Sequence, residues 1–266
     1  MTNKDVERLS KEWETFAEKL YLLGFKKFSQ ALNKSIQPLL DFIETTGVYP
    51  SELANLLVTE IPIATAMNEF VPLVADRTAK NFYKSYLKFL PDSTSVSVGF
   101  SSEAFAIGMN EYLSSVGAKH ITEITETTRK LVNQAFKDSL ENGETTAQLV
   151  KRIQKYTNVG KSRAMLISRT ETLMSSARAK DLQAQEYPYE MDVLWIHDAP
   201  KEPRSWHVKL NRQVRQGDKF KVVSPESTTF MKYPGDSSGG AINNCNCKCT
   251  HIYKIKTDEE GNPISI

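Results

Sequence analysis

The chain has 266 residues, of which 40% are hydrophobic and 25% are charged. This composition is typical of a folded globular protein and excludes a collagen, a simple coiled coil and wholesale disorder. No run approaches about 18 consecutive apolar residues, and the N-terminus lacks the apolar core of a signal peptide. We therefore expect synthesis in the cytoplasm and no membrane partner. Three cysteines do not make a disulfide framework.

Charge is unevenly distributed, although the formal net charge of the whole chain is only +2. Residues 1–118 carry 11 basic and 14 acidic side chains. Residues 119–185 carry 12 and 7, and residues 186–256 carry 11 and 8. The last ten residues carry three acidic side chains and no basic one. The front of the chain is therefore mildly acidic and residues 119–256 are basic.

The first two-thirds of the sequence has the periodicity of helices. Apolar residues at spacings of three and four predict a helix over residues 6–36. We expect Pro38 to open a second, short helix, and Pro62 and Pro72 to break the following stretch into pieces. Residues 91–102 are polar and rich in serine, which indicates a connection.

Three further helices are predicted before the pattern changes after Pro188. They span residues 119–141, a stretch beginning at Thr145 or Thr146, and Ser162 to about Gln185. Alternation of apolar and polar residues then predicts strands at residues 192–198, 219–223 and 247–255.

The predicted fold class is α+β and mostly α, with a helical N-terminal body followed by a small C-terminal α+β domain that contains a short antiparallel sheet. We expect a helical region at residues 1–100, a second domain at 101–256 with its α+β part at about 186–256, and a polar, loose tail at 257–266.

The cysteine-rich strand offers potential metal ligands at every second residue: Cys245, Cys247, Cys249 and His251. On one straight strand the outermost two would lie about 20 Å apart, so the four cannot surround one ion. Two of them could join His207 or His197 from elsewhere. A redox role is a further alternative. The interpretation that we favour is that the cysteines pack as small apolar residues, with no metal and no cofactor.

A possible catalytic set consists of Asp198, Arg204, His207 and, upstream, Glu171. A carboxylate that orients an imidazole is the minimum for acid–base chemistry. The alternative, which we favour, is a polar network that fixes the loops of a small domain, with no catalytic residue. No Walker loop, Rossmann glycine pattern, nucleophile elbow or His-Glu-x-x-His motif is present.

The helix at 161–185 also carries a set of basic residues that could contact the phosphates of a nucleic acid. These residues are Lys161, Arg163, Arg178 and Lys180. The alternative is a solvated helix face on which Glu171 and Asp181 balance the charge. Spacing does not separate the two interpretations.

Six motifs occur in one order between residues 119 and 252. They are the helix ITEITETTRKLVNQAFKDSLENG, the helix ETTAQLVKRIQKYTNV, the string SRTETLMSSARAKD, a strand with Trp195 and Asp198 that leads to Arg204-Ser205-Trp206-His207, Tyr233-Pro234-Gly235-Asp236, and Asn246-Cys247-Lys248-Cys249. This order resembles the phage head-morphogenesis family, the Mu F-like minor head proteins. The motif positions are Arg169, Thr170, Glu171, Asp198, Arg204, His207, Pro234, Gly235, Asp236, Cys247 and Cys249.

The resemblance implies a structural minor head protein of a tailed bacteriophage, made in the host cytoplasm and located inside the capsid near the portal. Its implied partners are the portal protein, the major capsid or scaffolding protein, other head proteins, and double-stranded DNA without sequence preference. The basic residues 119–256 are compatible with weak, salt-sensitive DNA contact. Because the strand region has too few apolar residues to fold securely alone, we expect the Arg169–Glu171 helix to pack against it. Asp198, Arg204 and His207 would then hold its two loops together through charge-assisted hydrogen bonds.

Two alternatives stay open beside this structural role. One is a ribonuclease-like or ADP-ribosyltransferase-like enzyme that uses His207, Arg204 and Glu171, and the other is a DNA-binding module proper. The sequence departs from the family at Asn211, Lys248 and Cys245. It also lacks an upstream Cys-x-x-Cys that some relatives carry, so a zinc site shared with those relatives is not expected.

Overall fold

A computed structural model describes residues 1–49, 52–91, 94–157, 160–197 and 203–266. The described residues are mostly helical, with short strands confined to the C-terminal region, so the predicted α+β fold class is confirmed. The helices are α1 (Asn3–Thr46), α2 (Leu53–Leu57), α3 (Ile61–Tyr86), α4 (Glu103–Tyr112), α5 (Ala118–Glu141), α6 (Thr146–Thr157), α7 (Gly160–Gln185), α8 (Ser205–Val208) and α9 (Gly240–Asn244). A π-helical turn, Leu113–Gly117, joins α4 to α5.

Helix α1 continues through Pro38, so the prediction of a new helix at this residue is wrong. Proline removes one backbone hydrogen bond and crowds the preceding turn. The buried face of the helix nevertheless runs across it, because Ile36, Leu39 and Ile43 are each at most 3% exposed and share one core cluster. Burial of these side chains offsets the lost hydrogen bond.

Helix α3 contradicts the predicted break at Pro72, whereas the chain does break just before Pro62, between α2 and α3. Pro62 lies in the first turn, where a backbone N–H has no helical acceptor, and Pro72 lies inside the helix. The residues around Pro72 are fully buried, including Phe70, Val71 and Val74.

Among the described residues, one stretch, Leu53–Phe89, is long and apolar enough to cross a membrane, a test that core helices of soluble proteins also pass.

Two small antiparallel sheets lie in the C-terminal region. Strand β1 (Met191–Ile196) pairs with β4 (Thr250–Ile255), and β2 (Phe220–Val223) pairs with β3 (Thr228–Met231). Trp195 stands opposite His251 in the β1–β4 register. The sequence predicted three of these strands, and β3 is an addition that completes a hairpin with β2.

The described residues form two compact units that interleave along the chain. Unit 1 contains residues 1–20, 71–112 and 169–266, and unit 2 contains residues 21–70 and 113–168. The predicted linear division at about residue 100 differs from these units, because each unit is assembled from separate segments of the chain.

Unit 1 holds the core that supports the C-terminal sheets. Its largest fully buried side chains include Trp195 and Tyr187, which pack in one cluster with Phe82 and Tyr253. One core cluster of unit 2 is formed by buried residues of α1, α2, α5 and α6.

The tail is tied to unit 1 by backbone hydrogen bonds, which corrects the expectation of a loose end. Glu190 N donates to Ile264 O at 2.9 Å, and Ile264 N donates to Lys256 O at 3.0 Å. Ile266 N donates to Pro188 O at 3.1 Å. Main-chain pairing of this kind does not depend on side-chain polarity, so composition alone did not reveal it.

Candidate functional site

A buried cluster in unit 1 brings together His207, Cys247 and Cys249. His207 lies on the one-turn helix α8, and the two cysteines lie on the segment between α9 and β4. These side chains are 2%, 3% and 3% exposed. The Arg204 guanidinium joins the two segments by donating to the carbonyl oxygen of Cys245 at 2.7 Å.

The His207 ring faces both sulfur atoms with one nitrogen. Nδ1 lies 3.5 Å from Sγ of Cys247 and 3.5 Å from Sγ of Cys249. One ligand atom from each of the three residues lies within 4.8 Å of the others. The backbone N–H of Cys249 donates to Sγ of Cys247 at 3.4 Å, which favours negative charge on that sulfur.

Asn243 on α9 determines which imidazole nitrogen carries the proton. Its Nδ2 donates to Gly239 O at 2.9 Å and to Thr229 Oγ1 at 3.3 Å, which fixes the orientation of the amide. Its Oδ1 accepts from Trp206 Nε1 at 2.9 Å and faces His207 Nε2 at 3.1 Å. Because an amide oxygen can only accept, Nε2 is the ring nitrogen that donates to Asn243, and Nδ1 is the ring nitrogen that faces the sulfurs.

The two thiols have opposite pKa shifts. A hydrogen bond from Cys249 holds the pKa of Cys247 well below its usual range against the opposing effect of burial, and His207 lowers it further. The same hydrogen bond, together with burial, raises the pKa of Cys249 well above its usual range. The pair therefore favours one thiolate and one thiol that share a proton.

The motif on helix α7 contacts the segment that carries the cysteines. Arg169 Nη1 donates to Asn246 Oδ1 at 3.3 Å, and the backbone N–H of Asn246 donates to Thr170 Oγ1 at 3.1 Å. Asn246 has a φ of 53°, so these contacts hold a left-handed turn between the cysteines. The prediction that this part of α7 packs on the small domain is confirmed.

The Pro-Gly-Asp loop also packs on helix α7. Gly235 has a φ of 89°, and a Cβ atom there would lie 3.0 Å from Cγ of Leu173, so the position requires glycine. Asp236 accepts from the backbone N–H groups of Lys232 at 2.6 Å and Ser238 at 3.0 Å. The side chain of Asn244 donates to the carbonyl oxygen of Asp236 at 2.7 Å, which ties the loop to α9. Pro234 is buried in the same loop.

Two of the predicted metal-ligand candidates lie outside the cluster. Cys245 is partly exposed, and its backbone carbonyl is the acceptor for Arg204. His251 is fully buried and stacks on Tyr233 with ring centroids 5.1 Å apart. Burial holds the pKa of His251 well below its usual range, so its ring is neutral. Of the predicted ligand candidates, the structure thus places Cys247 and Cys249 beside His207.

The predicted catalytic set is not assembled as a solvent-facing site. Asp198 lies outside the described residues, Glu171 is 2% exposed, and the His207 ring is enclosed by Asn243 and the two cysteines. A general base must approach its substrate closely. Burial of the imidazole therefore favours a structural or metal-binding role for His207.

The basic side chains of helix α7 that were predicted to contact phosphates mostly point away from solvent. Arg163 donates to the carbonyl oxygen of Ile124 at 2.9 Å, and burial lowers its pKa to about 10. Arg178 pairs with Asp181 at 3.4 Å. Lys180 is 6% exposed, so the structure does not support a phosphate contact through it. The side chain of Lys161 lies outside the described part of the chain.

Lys180 instead forms internal contacts in unit 1. Its Nζ donates to Thr250 Oγ1 at 2.7 Å and lies 3.3 Å from the centre of the Trp13 ring. Burial lowers the pKa of Lys180 well below its usual range. The lysine therefore connects α1 and α7 to β4 at a cost in desolvation of its charge.

Replacement of Lys180 by methionine is expected to change the pH dependence of stability. Because folding lowers the pKa of Lys180, the unfolded chain binds more protons than the folded chain at pH values up to the unfolded pKa of about 10.4. The contribution of Lys180 to the free energy of unfolding therefore rises with pH over this range. The difference in free energy of unfolding between wild type and Lys180→Met should shift in favour of wild type from pH 7 to 10, measured by urea unfolding. The exposed Lys254→Met is the control, and an equal slope in both variants would contradict the assignment.

Residues 130–252 match the model of the family described as Phage Mu protein F like protein. The match spans just under half of the chain and supports the resemblance to the Mu F-like head-morphogenesis proteins. The match covers helix α7, strands β1 to β3, the first residues of β4 and the whole His207 cluster. No curated protein and no solved structure matches the chain at a significant level.

The similarity to the Mu F-like family supports a role in phage head morphogenesis. The motif residues that suggested the resemblance are the ones that form the contacts between α7, α8, α9 and the cysteine segment. Asn243 is a central residue of the site that the motifs did not reveal. Its position two residues before Cys245 and next to Asn244 was the available signal.

Proposed function

We propose that the chain is a minor structural protein of a tailed-phage head, incorporated during assembly near the portal and located inside the capsid. The observation that carries this proposal is the family match over residues 130–252, which contains every described motif residue of the site. The head-morphogenesis role follows from the family match, whereas the position near the portal is our own proposal.

The site supports a structural role because its functional-looking residues hold segments together. Arg204 joins α8 to the cysteine segment, and Thr170 joins α7 to the same segment. Asn243 joins α9, α8 and β3 through its amide. A network whose members are buried and mutually hydrogen-bonded stabilises one conformation, and it leaves the imidazole without access to a dissolved substrate.

Contact with packaged DNA is a second part of the proposal. The net charge of residues 119–256 is +8. Several basic side chains of this region are exposed, including Lys209, Lys219, Lys221 and Lys232. They are dispersed among acidic residues, so the contact should be weak, independent of sequence and readily reversed by salt.

A portal-dependent incorporation experiment tests the proposal. We expect the protein to sediment with procapsids of its phage, and to be depleted at least tenfold from procapsids assembled without the portal protein. The matched control is the major capsid protein, whose amount per procapsid should not change. Equal amounts of the chain in both preparations would contradict a position near the portal, and its absence from both would contradict a role in the head.

A further inference from the structure

The His207 cluster has the composition and spacing of a metal site. We propose that His207 Nδ1, Cys247 Sγ and Cys249 Sγ bind one zinc ion, which fastens helix α8 to the segment before β4. This inference rests on the geometry of the cluster and is independent of the proposed position of the protein in the head.

The distances in the cluster match those around tetrahedral zinc. With Zn–S of about 2.3 Å and Zn–N of about 2.0–2.1 Å, two ligand atoms at the tetrahedral angle lie about 3.6 Å apart for nitrogen and sulfur. The observed Nδ1–Sγ distances are both 3.5 Å. A zinc ion can therefore enter between the three atoms with little movement of the side chains.

The chemistry of the donors selects a soft or borderline divalent cation. Two thiolates and one imidazole are a typical zinc ligand set, whereas Mg²⁺ and Ca²⁺ prefer oxygen ligands. The described residues supply three of the four ligands that tetrahedral zinc takes. This ligand set is built around a histidine of this chain and requires no Cys-x-x-Cys motif.

The surroundings of the cluster hold the ligands in their metal-binding states. Asn243 Oδ1 accepts a hydrogen bond from Nε2–H, which leaves Nδ1 as the ring nitrogen available to a metal ion. An acceptor for the second ring nitrogen is the usual outer partner of a metal-bound histidine. The backbone N–H of Cys249 donates to Sγ of Cys247, which stabilises a thiolate at that position.

Two other states of the cysteines compete with zinc binding. In one, Cys247 and Cys249 form a disulfide, which is strained between residues so close in sequence. In the other, both remain free thiols that pack in the core. All three cysteines are free in the structure, and each competing state gives a distinct result in the experiment.

The experiment measures metal in the untagged, full-length chain after extensive dialysis. We expect about one zinc per chain by elemental analysis, with at least a tenfold loss in Cys247→Ser and in Cys249→Ser. Cys245→Ser is the matched control, because this cysteine lies in the same segment but outside the cluster, and it should keep the wild-type zinc content. Unchanged zinc in Cys247→Ser, or equal loss in Cys245→Ser, would overturn the assignment.

A second measurement on the wild-type chain keeps the proposal testable if the serine variants do not fold. Zinc removed with a chelator should be replaced by Co²⁺ added alone, which should give the intense visible bands of tetrahedral cobalt and a thiolate-to-cobalt charge-transfer band. The midpoint of thermal unfolding should fall on chelation and recover with zinc. Absence of zinc and of the cobalt bands under reducing conditions, or a chain lighter by two hydrogens from a native disulfide, would overturn the proposal.

Discussion

Replacement of Trp195 by alanine is expected to lower the free energy of unfolding by about 3–5 kcal/mol, the range for a fully buried tryptophan. Trp195 lies on β1 and is 0% exposed. Its ring packs edge-on against His207 at 5.2 Å and against Phe220 at 5.3 Å. The variant leaves a large cavity between β1, β2 and α8, where the surrounding backbone is held by two sheets and cannot collapse fully.

Urea unfolding followed by far-ultraviolet circular dichroism measures this effect. Trp206→Ala is the matched control, because Trp206 is only partly buried and its main polar contact is the hydrogen bond to Asn243. We expect a smaller loss there, of about 1–2 kcal/mol. A Trp195→Ala variant within about 1 kcal/mol of wild type would show that this ring does not support the small sheets.

Replacement of Gly24 by alanine is expected to destabilise unit 2 by about 2 kcal/mol net. A Cβ atom at this position would lie 2.3 Å from Oγ of Ser168 and 2.5 Å from Cζ of Phe70. Neither neighbour is free to move, since Ser168 donates to the carbonyl oxygen of Tyr21 at 2.7 Å and Phe70 is fully buried against Phe28. Overpacking costs about 1–3 kcal/mol or more, and the helix propensity of alanine returns at most about 1 kcal/mol.

A double-mutant cycle isolates the clash at Gly24. Ser168→Ala removes the nearest atom, so Gly24→Ala should cost less in that background than in wild type, by at least about 0.5 kcal/mol. Thermal and urea unfolding of the four proteins give the coupling. Strict additivity, or a stabilising effect of Gly24→Ala alone, would contradict the close approach seen at this position.

Local periodicity predicted the elements whose apolar face is regular. Helix α5 (Ala118–Glu141), strand β1 and strand β4 occur where their patterns indicated. Proline was the main source of error. Its local cost is real, but burial of Leu39 and Ile43 in α1 and of Val71 and Val74 in α3 outweighs it. Such packing depends on partners distant in sequence, which a local window does not contain.

The candidate site was partly predictable from the sequence, because local strand geometry limits which side chains can meet. The geometry of a straight strand excluded a four-ligand site and left His207 as a possible partner of two cysteines. The orientation of the His207 ring depends on Asn243, whose amide also contacts Trp206, Gly239 and Thr229 from three different segments. The interleaving of the two units depends on contacts of the same long-range kind. Sequence spacing does not encode these distances.

Quantitative mass spectrometry of purified mature particles of its phage would show whether this chain is a structural component of the head. We predict its peptides in DNA-filled heads at a constant, low number of copies relative to the major capsid protein, and their retention through density-gradient purification. Peptides abundant in the lysate but absent from both particles and procapsids would contradict the account.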